Sequence, residues 1–303
     1  MVQYKINDKL TWSVDGKTQF VHAIMKDKNN NNVKMDFHGY IFGLVGMQKF
    51  KKDMEEHSVI LITGLPGSGK STFVEGIAAL DSAFMGERLS MDDIAWSMDN
   101  LIKMMDSKEN INRTIWADEF IQGTGRFNQS TVGLKLKIGF VTKRLKKNTY
   151  YLVVDEIKEF PEKVIKMADA YINIKKIGFT RGYFDCWVSP TKIYNLWKQF
   201  KEYTNTWNSP FVKSIYPDCK GKFQNYRGTF LDVVEFDRLK IEQTQQGEAN
   251  KKGDKIPINA MIAYNMKKDN PKMSLEQIGL QLGVHSSTVS GWIRKINNIA
   301  TTT

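Results

Sequence analysis

The chain has 303 residues, of which 41% are hydrophobic and 25% charged, and its formal charge is +11. That composition excludes a collagen-like or low-complexity disordered chain and fits one large domain plus a small one. The positive excess favours a polyanionic partner, nucleic acid before an anionic membrane surface.

No apolar run approaches the roughly 18 residues that a membrane-spanning helix needs, and the N-terminus lacks a signal-peptide layout. Cys186 and Cys219 fit no ligand spacing, and the four histidines (His22, His38, His57, His285) are scattered. A reducing, cytoplasmic setting is expected, the host's cytoplasm if the gene is viral.

In residues 1–35, Tyr4 and Ile6, then Leu10, Trp12 and Val14, alternate with polar residues, and Asp15-Gly16 is a hairpin signal. A small β-rich appendage is expected there. Residues 36–56 read as a helix with Phe37, Tyr40, Ile41, Leu44, Met47 and Phe50 near one face.

Val59-Ile60-Leu61-Ile62 is a short β-branched run of the kind found in buried strands. It leads into Gly64-Leu65-Pro66-Gly67-Ser68-Gly69-Lys70-Ser71-Thr72, which satisfies the phosphate-loop pattern G-x-x-x-x-G-K-[ST]. Phe73, Val74, Ile77, Ala78 and Leu80 then recur at helical spacing. The glycines let backbone N–H groups crowd round a polyphosphate, and the helix N-terminus adds partial positive charge. ATP and Mg²⁺ are the expected ligands: Gly64 to Thr72 cradle the phosphates, Lys70 reaches the β- and γ-phosphates, and Ser71 ligates the metal.

Glu87-Arg88-Leu89-Ser90 reads as a short strand, followed by a helical stretch begun by Asp92 and Asp93. Thr114-Ile115-Trp116-Ala117 is an apolar strand tipped by Asp118 and Glu119, as a Walker B element requires. Asp118 is the expected metal acid and Glu119 the residue that activates the attacking water. After a polar loop and a lysine-rich amphipathic stretch, Tyr150-Tyr151-Leu152-Val153-Val154 forms a second acid-tipped strand, ending in Asp155-Glu156. Ala170–Ile174 reads as one more strand.

From Val59 to Lys176 the chain resembles the HerA/FtsK-type, RecA-like ATPases that pump or package DNA. The resemblance rests on Gly64–Thr72, Ala117-Asp118-Glu119-Phe120, Arg126, Lys143-Arg144-Leu145-Lys146-Lys147-Asn148, the strand after it, and Phe160–Asp169. It implies an α/β fold with a mainly parallel sheet, in which the Walker B strand precedes a sensor strand lying beside the phosphate-loop strand. It also implies a homo-oligomer, a ring being possible, with Arg126 or Arg144 acting across an interface as a catalytic arginine. The family places a Thr-Gln-like sensor where this chain has Asp155-Glu156.

Residues 177–242 interleave aromatics with lysines, a pattern that serves either as core or as a track for single-stranded nucleic acid. Residues 243–254 contain almost no apolar side chains and read as a linker between a phosphate-loop domain at 36–242 and a small all-α domain at 255–303. In that last domain Ile258–Lys268 reads as a helix, Ser274-Leu275-Glu276-Gln277 as a capping box opening a second helix, and Ser286–Lys295 as a third. About thirty residues here resemble the helix-turn-helix modules of transcription regulators and transposases. Ser286, Ser287, Ser290, Arg294 and Lys295 would then face the DNA major groove.

The reading is therefore an ATP-hydrolysing motor that translocates, packages or remodels DNA. Two alternatives stand beside it. Ser90-Met91-Asp92-Asp93 after the phosphate loop also looks like polynucleotide-type kinases, with an Asp activating the acceptor hydroxyl. The chain could instead be a DNA-binding regulator gated by ATP.

Overall fold

Two hydrophobic patterns build two different sheets. In the computed structural model the described residues are 2–14, 19–107, 109–118, 136, 138–140, 146–178, 180–202, 214–252, 263, 264, 266–268, 270, 271, 273–282 and 284–300. Strands Val2–Asn7 (β1), Leu10–Val14 (β2), Phe20–Lys26 (β3) and Asn32–His38 (β4) form an antiparallel meander in sequence order. Burial along β3 alternates residue by residue, as a sheet with one packed face requires.

Strands Ser58–Thr63 (β5), Thr114–Ala117 (β7) and Thr149–Val153 (β8) are buried at every position, the pattern of parallel strands covered on both faces. With Ile94–Ala95 (β6) and Ala170–Ile177 (β9) they form the parallel part of a mixed sheet. Thr180–Trp187 (β10) and Cys219–Lys222 (β11) extend it antiparallel at one edge. The order is β11-β10-β9-β5-β8-β7-β6.

Helices cover both faces. Gly39–Asp53 (α1), Lys70–Phe84 (α2) and the meander share one core, which includes Phe37, Phe42, Ile60, Ile62, Phe73 and Phe84. Met98–Asp106 (α3), the short Glu162–Ile165 (α4) and Pro190–Glu202 (α5) pack on the other face around Val59, Leu61, Leu152, Tyr171 and Trp197. The meander is thus built into the body of this unit. The segment 87–90 is not a strand: the strand is Ile94–Ala95, which pairs with β7. On α1, Met47 and Phe50 are exposed, because the buried stripe runs through Ile41, Phe42, Leu44, Val45 and Gln48 instead.

At the N-terminal ends of the parallel strands lies a sealed polar cluster. Lys52 of α1 pairs with Asp81 of α2 at 3.1 Å, both side chains fully buried, and Thr114 donates to the same carboxylate. Burial drives the phenol pKa of nearby Tyr151 well above its ordinary value, and the Asp81 charge adds to the effect.

Most of the aromatics between 177 and 242 that are described are core. Phe184, Trp187, Trp197, Phe200, Tyr226 and Phe230 are buried, whereas Tyr216 is exposed. Val233–Lys252 (α6) follows, so the expected linker is helical through Lys252. Gln243, Gln245, Gln246, Glu248, Ala249 and Lys251 are good helix formers, and propensity needs no apolar face.

The chain divides into two compact units, Met1–Thr244 and Gln245–Thr303. In the second, Leu275–Leu282 (α7) and Ser286–Ala300 (α8) are joined by a short turn in which the Val284 N–H donates to Gly279. The capping box is reciprocal: Ser274 N–H donates to Gln277 Oε1 at 2.9 Å and Gln277 N–H to Ser274 Oγ at 3.1 Å. Ala263, Ile278 and Val289 form the buried centre, flanked by Met266, Leu275, Leu282, Trp292 and Ile293.

Candidate nucleotide site at the strand tips

Because β5, β7 and β8 run parallel, their C-terminal tips collect along one edge of the sheet. The turn leaving β5 is tight. A Cβ on Gly64 would lie 2.5 Å from the Ile174 carbonyl oxygen and 2.6 Å from Ser68 Oγ, so the loop closes only on glycine. Gly69 caps α2 with φ of +103°, a left-handed conformation, and no side chain caps the helix. The first-turn N–H groups of a 15-residue helix therefore face the loop without a side-chain acceptor, the arrangement that binds anions. Leu65, Pro66 and Gly67 are exposed on the rim, and Ser71 and Thr72 are half-buried on the first turn of the helix.

Lys70 folds back under the loop. Its Nζ donates to the Gly64 carbonyl oxygen and to Asp155 Oδ1, each at 2.6 Å. Asp155 also ties the loop through its backbone, since the Gly64 N–H donates to its carbonyl oxygen at 3.1 Å. The carboxylate that stands where a sensor is expected thus partners the phosphate-loop lysine. Asp155 is held by that pair and is not pointed into an anion site unopposed.

Asp118 sits at the tip of β7 with its side chain nearly sealed, at 1% exposure. Lys240 of α6 donates to its Oδ2 at 2.8 Å, while Oδ1 is buried without a hydrogen-bond partner. Ser68 Oγ, within the loop, is likewise buried and unpartnered. Two orphaned oxygens at the strand tips fit a site completed by donors and a cation, because a buried polar atom left unpaired is costly. Ser71 and Asp118 are the residues that would hold Mg²⁺.

Glu75, on the buried face of α2, accepts hydrogen bonds from the backbone N–H groups of Gly228, Phe230 and Leu231. This fixes the segment that leads into α6. Burial raises the Glu75 pKa, and the three N–H donors only partly offset that. Phe236 of α6 packs between Trp96 and Trp116, its ring centroid 5.0 Å from each.

Of the residues expected in the site, Gly64 to Thr72, Asp118 and Asp155 gather at the strand tips. Glu119, Arg126 and Arg144 lie outside the described residues. Asp92 and Asp93 do not join the site. They precede β6 at its N-terminal entrance, the edge of the sheet opposite the phosphate loop, where Asp93 pairs with Arg113. On α8, Ser287, Ser290 and Arg294 are exposed and Ser286 is half-buried, while nothing is described of the Lys295 side chain. The residue that sequence reasoning missed is Lys240. It lies 122 positions from Asp118, on a helix with no distinctive pattern.

No family model matches this chain, and no curated protein matches it either. Among solved structures, it is similar to the crystal structure of the N-terminal domain of zonular occludens toxin from Neisseria meningitidis. The match covers 46% of this chain and 90% of that one, at 17% identity and a TM-score of 0.34. A likeness of that size carries no functional weight.

The architecture by itself is α/β, with a mixed, mostly parallel sheet and helices on both faces, compatible with a phosphate-loop NTPase fold. No helix among the described residues is long and apolar enough to cross a membrane.

Proposed function

We propose that this chain is an ATP-hydrolysing, DNA-handling motor, with the nucleotide at the Gly64–Thr72 loop and DNA engaged by the C-terminal unit. One observation supports this reading most. β8 is inserted between β5 and β7, so the strand tipped by Asp155 lies beside the phosphate-loop strand and the strand tipped by Asp118 lies one further out. That is the arrangement implied by the resemblance to RecA-like ATPases, with Asp118 and Glu119 as the Walker B pair.

In this reading the loop N–H groups and the α2 terminus bind the phosphates. Lys70 would exchange the Gly64 carbonyl and Asp155 for the β- and γ-phosphates, and Ser71 and Asp118 would hold Mg²⁺, which would supply charge neutralisation there. Glu119 orients the attacking water, and Arg126 or Arg144 from a neighbouring copy stabilises the transition-state charge in a homo-oligomer, a ring being one arrangement. In the C-terminal unit α7 and α8 act as a helix-turn-helix, with Ser286, Ser287, Ser290, Arg294 and Lys295 toward the major groove.

The kinase reading loses its acid, because Asp92 and Asp93 lie at the wrong end of the sheet. Phosphate release from ATP should be assayed with and without DNA, alongside phosphate transfer to a 5′-hydroxyl oligonucleotide. DNA-stimulated release with no labelled oligonucleotide is expected. Labelled oligonucleotide would overturn the motor, and release indifferent to DNA would remove DNA handling from it. Glu119→Gln separates motor from switch: a motor keeps binding ATP and DNA and loses turnover and biological effect together, whereas a switch keeps its effect.

A further inference from the structure

Asp118 is asked to serve two cations. In the fold its Oδ2 is taken by the Lys240 ammonium at 2.8 Å, inside a site where the carboxylate side chain is 1% exposed. Its Oδ1 has no hydrogen-bond partner, so a cation reaching that oxygen would sit beside the Lys240 ammonium on one enclosed carboxylate. An ammonium and a divalent ion within about 4 Å of each other repel strongly where water is excluded. Breaking the pair without replacement is also unfavourable, since it leaves a buried charge alone. The two cations are therefore alternatives at this acid.

Lys240 sits on a helix suited to report the exchange. One turn earlier, Phe236 is buried between Trp96 and Trp116, and Arg227 stacks on its outer side at 4.7 Å. Phe236 and Lys240, spaced i and i+4, lie on the same helix face. The next residue, Ile241, is 57% exposed, and the helix runs on to Lys252, past the end of the first unit at Thr244. Phe236 is the buried anchor, and the Lys240–Asp118 pair is a tether one turn further along the helix, near the end of this unit.

We propose that Lys240 is a latch on the metal acid: its ion pair with Asp118 and Mg²⁺ binding with a nucleoside triphosphate exclude one another. Metal loading then loosens α6 at Lys240. The proposal rests on the nucleotide-site reading above. Linkage makes it reciprocal, so whatever draws α6 away from β7 tightens Mg²⁺–nucleotide binding by the same factor. Lys240 is a positioning residue that acts through Asp118.

The test uses the full chain and a fluorescent ATP analogue, titrated at a series of Mg²⁺ concentrations. Lys240→Met should lower the Mg²⁺ concentration for half-maximal tightening by about tenfold, within the usual range of coupling between sites. Lys240→Arg, which keeps the charge, should behave as wild type, and Lys240→Gln repeats the test should methionine disturb folding. Hydrogen exchange gives a readout independent of turnover. In wild type, amides after Lys240 in α6 should lose protection with Mg²⁺ and nucleotide together, and keep it with nucleotide in EDTA. An unchanged or higher Mg²⁺ requirement in Lys240→Met, or α6 protection indifferent to Mg²⁺, overturns the latch while leaving the nucleotide site standing. A wild type that binds no nucleotide at any Mg²⁺ concentration overturns both.

Discussion

The two ends of the central sheet hold the same chemistry and put it to different uses. At the N-terminal ends of the strands, Lys52 and Asp81 are paired and fully sealed, with Thr114 on the same carboxylate. At the C-terminal tips, Lys70 pairs with Asp155 and Lys240 with Asp118, beside a glycine loop and two orphaned oxygens. A sealed pair is committed to the fold. A pair at the strand tips with one member open to solvent, Asp155 at 35% and Lys240 at 30%, has partners to exchange for.

Breaking the sealed end should have the largest effect on stability. Lys52→Met leaves the Asp81 charge buried and unpaired and should cost about 3–5 kcal/mol in denaturant unfolding. Removing both partners, as Lys52→Met with Asp81→Leu, should cost less than Lys52→Met alone. A double variant that loses the sum of the two single costs would mean the pair is not a unit.

Glu75 comes next. Glu75→Ala strands three backbone N–H groups and should cost about 3 kcal/mol. Its raised pKa also predicts a sign. An acid that holds its proton more tightly when folded contributes stability that is fully present below the unfolded value of about 4.3 and is lost as pH rises through the folded value. Unfolding curves of wild type minus Glu75→Gln should fall with rising pH across that window. A difference that rises instead would show that the N–H donors outweigh burial.

At the tips the balance reverses. Lys70→Ala should cost less stability than Lys52→Met, because Asp155, at 35% exposure, can hydrate once unpaired, yet weaken nucleotide binding by more than about tenfold. A large stability loss there would erase the distinction between the two ends. The smallest effect is expected in the C-terminal unit. Ser274→Ala removes one arm of the capping box and should cost about 1 kcal/mol in that unit's own transition.

The comparison also shows what a sequence displays. The tight Gly64–Thr72 turn is legible because its residues are contiguous and its glycines at 64, 67 and 69 take positive φ. β5, β7 and β8 were legible because strands covered on both faces carry unbroken apolar runs. The capping box at Ser274 and Gln277 formed as its spacing suggests. What was hidden depends on distant partners. The charges of Lys240 and Lys52 look like ordinary solvated lysines until the fold brings an acid to each. β6 was missed because a two-residue strand has no period to detect, and the nearby 87–90 segment offered a better-looking one. The end of α6 has a linker's polar composition and no packing stripe, yet Gln243, Gln245, Gln246, Glu248, Ala249 and Lys251 are residues that a helix accommodates readily.

The central claim is that a nucleoside triphosphate binds where Lys70 lies beneath the Gly64–Thr72 loop. Calorimetric titration of ATP with Mg²⁺ into the full chain and into folded Lys70→Ala tests it most directly. Saturable one-site binding by wild type, lost or weakened more than about tenfold in the variant, is the predicted result. Equal binding by the two proteins, or none by either, would contradict it.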